Sequence, residues 1–149
     1  YVKAGRERDI IFSWEEMLDF EGDTAPYFIY TYARTRSILR KAKEMGVVFA
    51  HQEDASFHLL TSDEEFAVLR AIADLPDAIC KAQASNEPFM ISRQIALIAR
   101  AFNRFYNNSP ILLGADENLR LARLALCEAV CTAISVGTEL LGISVVERM

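Results

Sequence analysis

The chain has 149 residues, 52% apolar and 25% charged, as in one ordinary globular domain that can bury a real core. No apolar run is long enough to cross a bilayer, and the opening YVKAGRERD lacks the pattern of a signal peptide, so a cytoplasmic protein without a membrane partner is expected. The net charge of −5 argues mildly against nucleic acid as an average, but charge acts locally, and the segment from Ala25 to Lys43 carries five basic residues and no acid.

The first residue is Tyr1 rather than Met, which points to a fragment or a processed product. KAGRERDIIF predicts a turn and a short extended piece at Asp9–Phe12, and Ser13 with Glu16 makes a capping-box pattern for a short helix, SWEEMLDF. GDTAP is a breaker whose Pro26 suits the first turn of the next helix, predicted from Pro26 to Met45 with a stop at Gly46. VVFAHQEDASFHLLTS reads as a loop with short ordered pieces. Thr61 or Ser62 then caps a helix through EEFAVLRAIADL, with Glu64 and Glu65 in its first turn. Pro76 kinks that helix or divides it from DAICKAQ. Ser85, Asn86 and Pro88 open another helix, FMISRQIALIARAFNRFY, which NNSP ends. The last helix is predicted from Asp116 to Leu141, closing at Gly142 before the tail ISVVERM. Apolar spacings of three and four dominate from Pro26 onward, so the expected fold class is all-α, a helical bundle.

Catalytic patterns are missing. There is no glycine-rich phosphate loop, no GxSxG and no HExxH, so no catalytic residue is expected. The runs Glu15-Glu16 and Asp63-Glu64-Glu65 fall at helix starts, where negative charge favours the positive end of the macrodipole. His51 and His58 read as loop or surface residues. Cys80, Cys127 and Cys131 lie in apolar surroundings and read as buried, reduced thiols, and no metal site is expected.

One run stands out. PYFIYTYARTRSILRK, residues 26–41, holds three of the five tyrosines within six positions. On a wheel of roughly 100° per residue, Phe28, Tyr32, Thr35, Leu39 and Ala42 form one stripe, read as the buried face. Tyr27, Tyr30, Arg34, Ser37 and Lys41 form another, and Arg36, Arg40 and Lys43 make a purely basic strip. Two rings beside a guanidinium suit stacking of unpaired bases, with positive charge placed for phosphate. The same spacing also fits Tyr27 and Tyr30 packed against the final helix or a loop, with Arg34 paired to a surface carboxylate. It fits a protein-docking face too, since Tyr and Arg dominate interface hot spots.

GDTAPYFIYTYARTRSIL resembles the junction of arginyl-tRNA synthetases where the catalytic domain passes into the helical anticodon-binding domain of the DALR type. EEFAVLRAIADLPD, ARAFNRFYNNSPIL, LRLARLALCEAVCTAI and LLGISVVERM agree with that family in order, so the resemblance covers nearly the whole chain. It implies that residues 25–149 are the anticodon-binding bundle of this class I subclass, and that residues 1–24 are a connector or the end of the catalytic half. By position, the family's anticodon-loop contacts fall on Tyr27, Tyr30, Arg34 and Met149, while Arg36, Ser37, Arg40 and Lys41 would follow the RNA backbone. The implied partners are the anticodon stem-loop of tRNA(Arg) and the enzyme's own upstream catalytic domain. The full enzyme would use ATP and Mg2+ to attach arginine to tRNA. Its nucleotide motifs are absent here, so this fragment would need no cofactor and be inactive alone. Ile29 stands where the family usually has glutamine, Thr31 where it has alanine, Ala25 where it has glycine, and Val146 where it has proline. The anticodon domain of a related synthetase, such as that for cysteine, and a helical protein-interaction domain are the alternatives.

Overall fold

The computed structural model describes residues 13–14, 24–47, 56–114 and 116–148. The extended piece predicted at 9–12, most of the SWEEMLDF helix, His51 and Met149 lie outside these. Among the described residues there are five α-helices, one 3-10 turn (Phe57–Leu59) and no strand, which is the all-α class expected.

Helix α1 (Ala25–Glu44) begins where Thr24, in extended conformation, accepts the Tyr27 N–H on its hydroxyl at 3.4 Å. Pro26 sits in the first turn, where its missing N–H leaves no bond unmade. The helix stops at Gly46, whose φ of 75° lets the Val47 N–H turn back onto the Ala42 carbonyl at 3.0 Å. Helix α2 (Asp63–Ala73) starts with a full capping box: Ser62 accepts the Glu65 N–H, and Glu65 accepts the Ser62 N–H. Pro76 divides rather than kinks, lying in the first turn of α3 (Leu75–Ser85).

The expected opening of the next helix is corrected. Ser85 is the last residue of α3, and Asn86 closes that helix in the left-handed conformation, φ 54°, which asparagine tolerates better than most residues. Helix α4 (Phe89–Asn108) follows directly after Pro88. Helix α5 (Glu117–Leu140) is capped by Asp116 and closed by Gly142, with the Ile143 N–H on the Thr138 carbonyl at 2.9 Å.

The core lies where α4 and α5 meet each other and α1. Phe28, Ile95, Ile98, Phe102, Phe105, Leu124, Val130 and Ile134 are wholly buried there. Each such side chain contributes roughly 1.5–3 kcal/mol of transfer free energy. Helices α4 and α5 approach closely at Gly137, where a Cβ would lie 2.7 Å from the Ile95 side chain. A buried ion pair joins the far end: Glu65 on α2 accepts from Arg123 Nε on α5 at 2.7 Å, and Arg123 Nη1 donates to the Pro110 carbonyl at 2.8 Å.

Two burial expectations change. Thr31 and Ile38 are buried on α1, whereas Tyr32 and Leu39, expected in the core, are half-buried at its margin. The helix packs against both α4 and α5, so its buried arc is turned toward the Tyr27 side of the wheel. Cys80 is exposed, not buried, because α3 packs as a short outer helix; Cys127 and Cys131 are buried free thiols as expected. Burial pushes the Cys131 thiol up to about 12.

Candidate nucleic-acid interface

Helices α1 and α4 together carry eight of the 16 basic residues of the chain and only one of its 21 acidic residues. Five of these basic residues lie on α1; the three on α4, Arg93, Arg100 and Arg104, line grooves shared with α2 and α3 rather than the junction of α1 and α4. Where they meet, Arg34 reaches from α1 toward α4. Its guanidinium carbon lies 4.6 Å from the ring centroid of Tyr30 and 5.1 Å from that of Tyr106. Both rings are about two-fifths exposed, 40% and 42%, so each offers free aromatic surface as well as a face for the cation. Tyr106 is itself stacked on the buried Phe102, with centroids 6.3 Å apart, which fixes its ring to the core.

Hydrogen bonds hold the guanidinium in place. Arg34 Nη1 donates to Asn103 Oδ1 at 2.7 Å, and Nη2 donates to the Tyr30 hydroxyl at 2.8 Å. Asn103 in turn donates from Nδ2 to the Tyr27 hydroxyl at 3.0 Å and to Thr31 Oγ1 at 3.2 Å. Tyr27 is half-buried, its ring packed against the core and edge-on to Phe28 with centroids 6.4 Å apart. Tyr27, Tyr30 and Arg34 therefore gather at one place, as their spacing predicts.

The basic strip is placed differently. Arg36 Nε pairs with Glu147 of the C-terminal tail at 3.0 Å, in an exposed ion pair that brings the tail back across α1. Arg40 donates to Ser37 at 3.4 Å, and Lys41 is exposed. Tyr32 lies beside the same carboxylate: burial, then Glu147, hold its hydroxyl above the ordinary value of 10.0.

Asn103 and Tyr106 escape a reading based on one helix at a time. They are three residues apart on α4, within FNRFY, and only the tertiary packing brings them beside α1. The signal present was the exposed tyrosine after two buried phenylalanines, Phe102 and Phe105. A groove of about 890 Å³ lies elsewhere, between α2 and α4, with Phe66 and Leu97 among its lining; it does not reach the aromatic cluster. Among the described residues no group of three or more His, Cys, Asp or Glu side chains could hold a metal ion.

The profile of the DALR anticodon binding domain matches residues 28–149, most of the chain. The chain belongs to the DALR anticodon-binding domain family. All of this DALR domain aligns with arginine–tRNA ligase of Clostridium botulinum strain Langeland at 46% identity, and with that of Clostridium kluyveri at 42%. It spans 25% and 26% of those proteins, about a quarter of their length. Among solved structures, arginyl-tRNA synthetase of Thermus thermophilus matches with a TM-score of 0.80 and 33% identity, covering 93% of this chain and 23% of that one. Arginyl-tRNA synthetase of Plasmodium falciparum matches with a TM-score of 0.80 and 29% identity, over 99% of this chain and 25% of that one. No helix among the described residues is long and apolar enough to cross a membrane.

Proposed function

We propose that this DALR domain binds the anticodon stem-loop of tRNA(Arg), as part of an arginine–tRNA ligase that charges that tRNA. The observation that carries this reading is the guanidinium of Arg34 within 4.6 and 5.1 Å of two part-exposed tyrosine rings, on the helix that carries five basic residues. Rings stack on bases whatever their sequence, while guanidinium N–H groups read base edges or hold phosphates. Tyr30 and Tyr106 supply the stacking faces. Tyr27 closes the floor of the site, and Met149, carried over from the family motif, closes the pocket over the same bases. Lys41, Arg40 and Ser37 follow the backbone.

In the longer protein, residues 1–24 join the bundle to a catalytic domain. ATP and Mg2+ serve the chemistry there, and no step in this domain runs through them.

The test is titration of an anticodon stem-loop for arginine, against loops with altered anticodon bases, at about 50 and 200 mM salt. The cognate loop binds more tightly at both concentrations, and all affinities fall with salt. Equal binding of every loop, or no binding at low salt, contradicts the proposal.

A further inference from the structure

We propose that Asn103 is the positioning residue of this interface, turning Arg34 from a general cation into a reader of base edges. The inference rests on the anticodon-loop reading above and adds the residue on which discrimination depends.

Donor and acceptor chemistry constrains position 103. Arg34 has only donors, so the side of residue 103 that meets it must accept. Thr31 has one hydroxyl hydrogen, and it already donates to the Tyr27 carbonyl at 2.9 Å, so toward residue 103 its oxygen can only accept. Position 103 must therefore accept on one side and donate on the other. An amide does this with Oδ1 toward Arg34 and Nδ2 toward Thr31 and Tyr27. The surroundings thus leave the amide one orientation.

The consequence falls on Arg34. A guanidinium serving only as a phosphate counter-charge needs no fixed plane. This one meets three residues: Tyr30 through ring and hydroxyl, Tyr106 through its ring, and Asn103 through Oδ1. The two bonds leave from Nη1 and Nη2 to different partners, and together they fix the direction of the fork. Only two of its five N–H groups are used in these bonds, which leaves donors for a ligand. A cation held in this way suits an unpaired base presenting acceptors on its edge, where direction matters.

Asn103→Leu removes both halves of the amide, and Asn103→Asp keeps the acceptor for Arg34 while losing the donor. Each variant is titrated with cognate and altered stem-loops at two salt concentrations, and its melting temperature is measured. In Asn103→Leu, preference for the cognate loop should fall about tenfold, with the dependence on salt unchanged because no phosphate contact is lost. Asn103→Asp should keep most of the preference. If Asn103→Leu does not fold, Arg34→Lys carries the test: it keeps the charge, cannot fill the fork, and should show the same loss of preference at unchanged salt slope. If affinity for all loops drops together while preference persists, or if the salt slope falls instead, the inference is overturned. A wild-type chain that does not distinguish the loops defeats the underlying reading itself.

Discussion

The guanidinium of Arg34 on α1 lies 5.1 Å from the ring centroid of Tyr106 on α4, and this contact makes one site out of two helices. Tyr106 rests on Phe102 behind it, and the Tyr30 ring centroid lies 4.6 Å from the same cation. Both outer rings keep an exposed face.

Truncating either ring should therefore affect binding more than folding. Tyr30→Ala and Tyr106→Ala are each expected to weaken stem-loop binding by about 1–3 kcal/mol, the range for loss of one stacked base. The melting temperature of Tyr30→Ala should stay close to that of the parent chain, while Tyr106→Ala, which uncovers Phe102, should lower it modestly. Titration and thermal melts on the same samples check this, and a large drop in melting temperature would make the ring a structural element instead.

The Glu65–Arg123 pair contributes to acid stability. Burial alone would raise the Glu65 carboxyl, but the bonds from Ser62 and Arg123 outweigh it and hold the group below its ordinary 4.5. A depressed carboxylate stabilises the fold above its unfolded value and loses that contribution as pH falls through the folded one. Unfolding by denaturant at pH 7 and at progressively lower pH should show this loss setting in below about pH 4.5. Arg123→Met leaves a buried carboxylate without its partner and should cost about 3–5 kcal/mol at pH 7. Glu65→Gln should flatten the acid limb of the stability curve.

The tail contact can be followed through Tyr32. Its hydroxyl titrates above the ordinary value, first through burial and then through the carboxylate of Glu147. Glu147→Gln removes the charge, so the Tyr32 titration should move down toward the ordinary range, measured by ultraviolet difference absorption between about pH 9 and 12. The ion pair with Arg36 is exposed, so its loss should change stability by no more than about 1 kcal/mol. An unmoved Tyr32 titration would mean that the tail does not rest on α1.

Much of this architecture was legible along the chain because its signals are local. Gly46, Ser62 with Glu65, Pro76 and Gly142 mark helix ends by backbone conformations or caps that few other residues supply. The meeting of Tyr27, Tyr30 and Arg34 followed from helical spacing alone. What spacing could not give was the rotation of α1 in the bundle. That rotation buries Thr31 and Ile38, leaves Tyr32 at the margin and half-buries Tyr27, and it depends on helices far away in sequence. Asn103 and Tyr106 were hidden for the same reason, since their partners lie on another helix. Asn86 misled because one residue type serves both a helix start and a left-handed helix end, and only the conformation decides.

The central claim is that the cluster around Arg34 takes unpaired bases, not merely the charge of an RNA backbone. The most direct measurement replaces the anticodon bases of the stem-loop one at a time by abasic residues, keeping every phosphate, and titrates each against the chain at about 200 mM salt. At least one replacement should weaken binding by about 1–3 kcal/mol, and that loss should disappear in Tyr30→Ala or Tyr106→Ala. Abasic loops that all bind as tightly as the intact loop would contradict the account.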